Sequence, residues 1–423
     1  LDDNGDFVGF DVVIGNPPYL NVELMDRKDK DYFKNAFTTF YKRSDIFNLF
    51  IELATSSLTN KGVVNFILPS IVLNNLSYKP IRDRLLQNNW LSRVFYTGGN
   101  IFEEATVDTV ILFIDKNTVT NIELIDALDF SNPRATVVDT KFFEKFDNVI
   151  SVSGDENSNK VFEKIFNSSN INVEQYFEVF QGIVTGNNPV FIFDEPEQWK
   201  SVEIENELLK PLLHGRDFNK WIIKNAERKI LYLNPKTELD AYPKAKKYIE
   251  PYKNELSKRR EVSNGAIPWF SLQWSRNKDL LDAKPKIIIQ NTRNERLKPR
   301  IVATVDEDGI YGSQGMNFIV PKDKEYSAYF LIGIINSTLI NYLFATKFLN
   351  LAIKAEYIKQ ISFPKPTSKT ITDIETLAKE ILVAKSKDIN ADTSKQEKAL
   401  DFLAYKLYDL TAEEIEIIEN SVK

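Results

Sequence analysis

The stretch Phe10-Asp11-Val12-Val13-Ile14-Gly15, which runs directly into Asn16-Pro17-Pro18-Tyr19, decides the fold. Its first six residues form a short apolar, β-branched run of the kind that is buried on both faces of a parallel sheet. Proline lacks an N–H and fixes φ, so the proline pair ends the strand in a rigid turn. We therefore expect a polar amide and an aromatic ring to flank that turn at the end of a buried strand.

Strand and helix patterns alternate through the segment that follows this turn. Further strands are predicted at residues 63–68, 91–96 and 107–114, with helices that begin after Ser44 and near Pro80. Such alternation indicates an α/β fold with an open, mostly parallel sheet, in which ligands bind beyond the carboxyl ends of the strands. An apolar pattern at residues 326–348 predicts a long buried helix, and the residues from 371 onward predict two or three amphipathic helices.

Composition excludes several classes of chemistry. The 423 residues include no cysteine and one histidine, His214. Disulfides, zinc ribbons, iron–sulfur clusters, thiol nucleophiles and multi-histidine metal sites are therefore excluded. No apolar run approaches the roughly 20 residues of a membrane span, and the first residues show no signal pattern. We expect a cytoplasmic protein with no membrane partner.

The formal net charge of −6 hides an uneven distribution. Between Lys244 and Arg300, fifteen basic residues face six acidic ones, so this stretch carries +9. A local cationic stripe in an acidic protein predicts an electrostatic contact with phosphate. An ordinary solvated surface is the alternative.

The Asn16-Pro17-Pro18-Tyr19 turn suits the activation of an exocyclic amine on a planar ring, a poor nucleophile because its lone pair is delocalised. The side-chain oxygen of Asn16 and the carbonyl of Pro17 can accept its two N–H bonds, which frees the lone pair for in-line attack on a methyl sulfonium. Tyr19 offers a ring face for the base, which must be flipped out of a duplex to reach it. This chemistry needs no metal. A rigid turn without a ligand is the alternative.

Residues 11–19 resemble the catalytic motif of amino-methylating DNA adenine methyltransferases, the TaqI-like group and the fused restriction–modification enzymes related to it. The resemblance continues through residues 62–70, 99–102 and 106–113. It implies that Asn16, Pro17 and Tyr19 are catalytic and that Phe102 packs on the flipped adenine opposite Tyr19. It also implies that Asn16 and Phe50 contact the cofactor, S-adenosylmethionine.

The second half resembles the family's C-terminal target-recognition region, through residues 181–188, 208–217, 267–270, 285–289 and 335–337. His214 lies in one of these pieces and is interpreted as structural. The resemblance implies an α/β fold in three parts. These are the C-terminal part of a Rossmann-like S-adenosylmethionine-dependent methyltransferase sheet (residues 1–150), an α+β DNA target-recognition domain (151–366) and a C-terminal helical segment (367–423).

One family feature is missing. The family binds its cofactor through a glycine-rich turn after the first strand, yet only fifteen residues precede Asn16 and residues 371–423 contain no glycine. We therefore expect an incomplete methyltransferase domain with an exposed apolar sheet edge. An upstream domain or a separate chain is expected to complete the cofactor site.

Double-stranded DNA is the expected partner of the recognition half, because amides and arginines read base edges while cations anchor phosphates. The residues predicted to contact DNA are Asn187, Asn188, Lys253, Lys258, Arg259, Arg260, Arg293, Arg296, Lys298 and Arg300. The leading hypothesis is a site-specific DNA adenine-N6 methyltransferase of the restriction–modification type, of which this chain is a fragment. A DNA-binding specificity module without catalysis is the second hypothesis, and an RNA or protein-glutamine methyltransferase is the third.

Overall fold

A computed structural model describes residues 4–41, 43–99, 101, 108–146, 148–152, 156–168, 170–224, 226–291, 297–347 and 353–422. The chain forms two compact units. Unit 1 comprises Leu1–Phe166 and Ala345–Asn350, and unit 2 comprises Asn167–Phe344 and Leu351–Lys423. The domain limits given above, at residues 150 and 366, stay predictions.

Unit 1 is built around a six-stranded sheet with the strand order β1-β2-β4-β3-β5-β6. The strands are β1 (Phe10–Gly15), β2 (Leu58–Pro69), β3 (Leu91–Gly98), β4 (Thr109–Asp115), β5 (Asn121–Asp126) and β6 (Arg134–Asp139). β1 is parallel to β2 and β3 is parallel to β5, whereas β4 lies antiparallel between β2 and β3. The predicted α/β class is confirmed, but the mostly parallel sheet is wrong because β4 and β6 pair in the opposite direction.

The helices of unit 1 are α1 (Arg27–Ala36), α2 (Phe47–Ser56) and α3 (Lys79–Gln87), and α4 (Glu156–Ser168) begins in this unit. α2 begins three residues after Ser44, and Ile46, not Ser44, occupies its N-cap position. The Ser44 hydroxyl instead donates to the carbonyl of Tyr41 at 2.7 Å.

β1 is the outer strand of its sheet, and its apolar side chains are open. Val12 is 54% exposed and Ile14 is 74% exposed. The expectation that this strand is buried on both faces is wrong for the described chain. The exposed apolar edge that the sequence predicts is present instead.

Unit 2 is an α+β arrangement of two four-stranded sheets, with strand orders β16-β10-β13-β9 and β15-β14-β17-β8, and two strand pairs, β11-β12 and β18-β7. Its strands are β7 (Ile171–Asn172), β8 (Phe177–Gln181), β9 (Ile192–Phe193), β10 (Leu209–Leu213), β11 (Phe218–Asn219), β12 (Ile222–Ile223), β13 (Lys229–Leu231), β14 (Lys286–Gln290), β15 (Ala303–Asp306), β16 (Tyr311–Gly312), β17 (Met316–Pro321) and β18 (Ser362–Phe363). β14 is buried along its whole length, and the ammonium of Lys286 is satisfied there by Asp306 at 2.6 Å.

Helices surround these sheets. They are α5 (Val173–Tyr176), α6 (Asn188–Phe191), α7 (Pro196–Ser201), α8 (Pro243–Ile249), α9 (Lys253–Leu256), α10 (Arg260–Ser263), α11 (Lys278–Asp282), α12 (Ala328–Ile335), α13 (Thr338–Lys347), α14 (Ala355–Lys359), α15 (Ser368–Lys387), α16 (Ser394–Leu407) and α17 (Ala412–Val422). The last three confirm the helices predicted for the tail.

The prediction of a single long helix at 326–348 is wrong, because the helix is interrupted at Asn336 and Ser337. The two helices α12 and α13 form instead. Among the described residues, no single helix has the length and apolarity needed to cross a bilayer. Ala328–Ile335 and Thr338–Thr346 meet that criterion only as a pair, which is bent by 59°.

Candidate active site and DNA-recognition surface

The proline turn lies at the carboxyl end of β1, where Gly15 pairs with Phe66 of the parallel strand β2. Asn16 is exposed, Pro17 is buried and Tyr19 is half-buried. Burial of Pro17 anchors the turn, while the amide of Asn16 stays accessible. The sequence therefore placed this turn correctly at a strand end, which is where α/β sheets bind ligands.

Two contacts hold the ring of Tyr19. Its hydroxyl donates to the carbonyl of Ile67 at 3.2 Å, and its ring meets Phe47 edge-on with 6.1 Å between centroids. Phe47 is fully buried and in turn stacks on Tyr78 at 5.0 Å. Burial raises the pKa of Tyr19, so its hydroxyl stays protonated as a hydrogen-bond donor at neutral pH.

The segment after the turn is paired with the segment that leads into α2. The N–H of Val22 donates to the carbonyl of Ser44 at 3.0 Å, and the N–H of Ile46 donates to that of Leu20 at 2.9 Å. The loop before α2 therefore supports the chain directly beyond Tyr19.

Glu52, on α2, holds that loop in place. It is not among the site residues that the sequence predicted. Its carboxylate accepts hydrogen bonds from the N–H and hydroxyl of Thr38, at 3.0 and 2.7 Å, and from those of Thr39, at 2.8 and 2.6 Å. Burial alone would raise the pKa of Glu52, but these four donors outweigh burial and hold its pKa below the usual range. The signal in the sequence was that Glu52 is the one charged residue of α2.

The two predicted aromatic contacts fare differently. Phe50 is exposed on α2, one turn after Phe47, and Leu53 is exposed one turn later on the same face. An open aromatic ring on the helix that contacts Tyr19 through Phe47 suits the adenine face of S-adenosylmethionine. Phe102 lies outside the described residues.

The described residues include some, but not all, of the groups that would bind the cofactor. The amide of Asn16 and the ring of Phe50 are chemically suited to it, and the open face of β1 leaves room for further groups. No strand-to-helix glycine turn stands before β1 in the described chain. Among the described residues, no group of three or more His, Asp or Glu side chains is placed to hold a metal ion.

In unit 2, two of the predicted DNA contacts lie at the start of α6, Asn187 at the N-cap and Asn188 as the first helical residue. The amide nitrogen of Asn187 donates to Glu255 at 2.6 Å, and the side-chain oxygen of Asn188 accepts from the hydroxyl of Thr185 at 2.5 Å. Asn188 is the more exposed of the two. Their contact with DNA stays a prediction.

Three of the predicted cations lie on the short helices α9 and α10 and the turn between them. Lys253 is exposed, pairs with Glu250 at 3.3 Å and lies 5.3 Å from the ring of Trp269. Lys258 and Arg260 are also exposed. These three side chains are accessible to a phosphate.

Arg259 is placed differently, and here the structure argues against a phosphate contact. Its guanidinium donates to the carbonyls of Leu256 at 3.0 Å, Thr185 at 3.1 Å and Trp269 at 2.6 Å. Burial lowers its pKa. Arg259 therefore joins three segments of unit 2 and has a structural role.

The last group of predicted cations is divided. Lys298 is exposed. Arg300 is only 3% exposed, so its side chain lies inside unit 2, which corrects the prediction that it contacts DNA. Arg293 and Arg296 lie outside the described residues.

The single histidine is in a structural setting. The backbone N–H of His214 donates to the carboxylate of Asp217 at 2.7 Å, and Asp217 also pairs with Arg228. Burial, followed by the nearby charge of Arg228, lowers the pKa of the His214 imidazole, so it is neutral at pH 7. This agrees with its interpretation as structural.

Two separate segments of the chain match two family models. Residues 2–102 match the Eco57I restriction-modification methylase model, and residues 210–362 match the TaqI-like C-terminal specificity domain model. One segment of the chain is therefore similar to restriction-modification methylases and another to TaqI-like specificity domains, which confirms the predicted resemblance.

Curated relatives extend this finding. The chain is 24% identical to the type II restriction enzyme and methyltransferase RM.Eco57I of Escherichia coli, over 95% of this chain and 46% of that protein. It is also 24% identical to the type II methyltransferase M.BstVI of Geobacillus stearothermophilus, over 100% of this chain and 77% of that protein. The chain thus spans about half of the length of RM.Eco57I.

Solved structures share the fold. The type IIL restriction-modification enzyme MmeI, solved in complex with DNA, aligns with a TM-score of 0.66 at 13% identity, over 97% of this chain and 56% of that chain. The DrdV–DNA complex aligns with a TM-score of 0.50 at 12% identity, over 90% of this chain and 44% of that chain.

Proposed function

We propose that the complete protein is a site-specific DNA adenine-N6 methyltransferase of the restriction–modification type. In this proposal, the chain supplies the turn that binds the acceptor base and the half that recognises DNA. The observation that carries the proposal is the Asn16-Pro17-Pro18-Tyr19 turn at the carboxyl end of β1, with the ring of Tyr19 held between Ile67 and Phe47. The match of residues 210–362 to a specificity domain supports DNA as the substrate.

The turn activates the N6 amine of a flipped adenine. The side-chain oxygen of Asn16 and the carbonyl of Pro17 accept its two N–H bonds and stabilise the positive charge that develops on nitrogen during attack. Tyr19 stacks on the base and fixes its angle of approach, at a gain of about 1–3 kcal/mol. S-adenosylmethionine, when bound, supplies the electrophilic methyl group. The new C–N bond replaces the C–S bond, and the surplus proton on N6 passes to solvent.

The cofactor site is completed by residues outside the described chain. The open edge strand β1 exposes Val12 and Ile14, and α2 exposes Phe50 and Leu53. An apolar edge and face of this kind are costly in water and mark a surface that another element covers. We propose that an upstream domain of the same protein, or a separate chain, covers this surface and brings the missing cofactor-binding turn.

Product analysis tests the proposed function. The complete protein is incubated with S-adenosylmethionine labelled in its methyl group and with a duplex of mixed sequence, and the DNA is digested to nucleosides. We expect label in N6-methyldeoxyadenosine. Label in a cytosine product, or in an RNA offered in equal amount and not in the duplex, contradicts the proposal.

A catalytically silent specificity module is the second candidate, and the open β1 edge is the observation that favours it. In that case the protein retains duplex DNA but transfers no methyl group, even with every partner chain present. The same product analysis separates the two candidates, because only the first yields a labelled nucleoside.

A further inference from the structure

A turn in unit 2, residues 182–188, has a backbone conformation that requires glycine at two positions. A side chain on Gly182 would lie 2.1 Å from the carbonyl oxygen of Ser313, so no other residue fits there. Gly186 has a φ of +75°, and a side chain on it would lie 3.0 Å from that of Gln273. We call residues 182–188 the recognition turn. Its backbone is set by packing and by two required glycines.

Two arginines hold the recognition turn from the side. The guanidinium of Arg276 donates to the carbonyl of Gly182 at 2.9 Å, and that of Arg259 donates to the carbonyl of Thr185 at 3.1 Å. A surface turn held by two charged donors loses little conformational entropy when a ligand binds. Preorganisation of this kind is a common property of binding loops.

The two asparagines of the recognition turn have different surroundings. Asn187 uses its amide nitrogen on Glu255 at 2.6 Å, which ties the turn to α9. Asn188 is exposed, and its side-chain oxygen is oriented by the hydroxyl of Thr185 at 2.5 Å. An oriented, exposed carboxamide is the group that pairs with an adenine edge through one donor and one acceptor.

Trp274 lies beside the recognition turn and is 51% exposed. The backbone N–H of Trp274 donates to the backbone carbonyl of Val184 at 2.9 Å, and the backbone N–H of Val184 donates to the backbone carbonyl of Trp274 at 3.2 Å. Residues that exchange both bonds in an antiparallel pair project their side chains from the same face. The indole is therefore an open aromatic surface on a rigid support, and tryptophan is enriched at the centres of binding interfaces.

Exposed cations lie next in sequence to an arginine that is bonded to the recognition turn. Seven basic and two acidic residues lie between Lys244 and Arg260. Lys258 and Arg260 are exposed, and the intervening Arg259 is bonded to the recognition turn itself. Duplex DNA suits this set of side chains, because its outer phosphates can pair with the cations while its bases can contact the aromatic ring and the amide.

We propose that Trp274 and Asn188 are the base-contacting pair of unit 2. Trp274 packs its indole against a base in the groove, Asn188 reads an adenine edge, and Lys258 and Arg260 hold the flanking phosphates. The proposal rests on the proposed function for its ligand, DNA, and adds the residues that determine specificity. Arg259 and Arg276 act through the recognition turn and do not contact DNA.

Fluorescence anisotropy with a labelled 40-bp duplex of mixed sequence tests the role of Trp274. We expect Trp274→Ala to raise Kd roughly tenfold, the effect of losing one base contact. Phe402→Ala, which removes a 63% exposed aromatic from α16, is the matched control and leaves Kd unchanged. The salt dependence of binding separates base contacts from phosphate contacts. Trp274→Ala keeps the slope of log Kd against log salt concentration, whereas the Lys258→Ala and Arg260→Ala double variant lowers that slope by about two.

Two further measurements test the proposal, and the first of them needs no variant. A duplex that carries 5-iodouracil is irradiated with the unmodified chain, and we expect the crosslink at Trp274 by fragment mass spectrometry. Selection from random duplexes should show an adenine preference that Asn188→Ala removes. A Trp274→Ala variant that binds as tightly as Phe402→Ala, or crosslinks confined to other segments, overturns the proposal. A chain that retains no duplex at all contradicts the DNA-binding part of the proposed function as well.

Discussion

The hydroxyl of Tyr19 donates a hydrogen bond of 3.2 Å to the main-chain carbonyl of Ile67, and this bond ties the proline turn to the neighbouring strand β2. The same ring meets Phe47 edge-on. The stacking surface is thus oriented before any base arrives. A fixed acceptor surface reduces the entropy that must be lost in reaching the reactive geometry.

Substitutions of Tyr19 should separate the ring from its hydroxyl. Tyr19→Phe keeps the stacking face and loses one hydrogen bond, so we expect the rate of methyl transfer by the complete protein to fall about two- to tenfold. Tyr19→Ala removes the ring, and we expect a loss of about 10–100-fold. Tyr32→Ala, at an exposed aromatic on α1, is the control and should be neutral. Equal rates for Tyr19→Ala and Tyr32→Ala would show that the ring does not bind the base.

Glu52 should make the stability of unit 1 depend on pH. Its pKa is lower in the folded chain than in the unfolded chain, because four hydrogen bonds favour the carboxylate. The stabilisation is therefore complete above the unfolded pKa of about 4.3 and is lost as pH falls through the folded pKa. Glu52→Ala leaves the donors of buried Thr39 and of the more exposed Thr38 without their carboxylate, so we expect it to destabilise unit 1 by about 2–3 kcal/mol at pH 7.

Thermal unfolding between pH 3 and pH 7 measures this dependence. The difference in melting temperature between the unmodified chain and Glu52→Gln should be largest near pH 7 and should shrink toward pH 3. Glu23→Gln, at an exposed acid of the same unit, provides the comparison. A difference that stays constant over this range would mean that the ionised form of Glu52 is not what holds the loop.

The open edge of β1 should cause the isolated chain to associate. Unpaired backbone groups and apolar side chains at Val12 and Ile14 offer a template for a second strand. We expect size-exclusion chromatography to show oligomers that the Val12→Lys and Ile14→Lys double variant converts to monomers. Val383→Lys, at an equally exposed apolar residue on α15, should not change the oligomers. Monomers of the unmodified chain at high concentration would argue that the edge is tolerated without a cover.

Local signals in the sequence predicted the turn, and distant partners did not follow from them. Asn16 to Tyr19 are contiguous and follow an apolar run, so their place at a strand end could be read directly. The insertion of β4 between β2 and β3 could not, because an apolar run does not specify which strand it pairs with or in which direction. The exposure of Ile14 has the same origin, since burial depends on neighbours that the run does not encode.

Charge counts gave the basic region of unit 2 but not the role of each cation. Lys258 and Arg260 are at the surface, whereas Arg259 between them donates to three carbonyls and Arg300 is buried. A guanidinium has five donors and forms bonds to backbone as readily as to phosphate. Only the folded structure shows which of these cations are at the surface and which are bonded to the backbone or buried. For Glu52, the one charged residue of α2, the sequence did not indicate the hydrogen-bond partners, because they lie thirteen and fourteen residues earlier.

Asn16→Ala in the complete protein tests the proposed catalytic role of the proline turn. Single-turnover methyl transfer to duplex DNA is measured with saturating S-adenosylmethionine, and Asn60→Ala, at an exposed asparagine of β2, serves as the control. We predict that Asn16→Ala lowers the rate on the order of 10²–10³-fold, the cost of one lost hydrogen bond to the transition state, while DNA binding is retained. A rate for Asn16→Ala within twofold of Asn60→Ala would contradict the account.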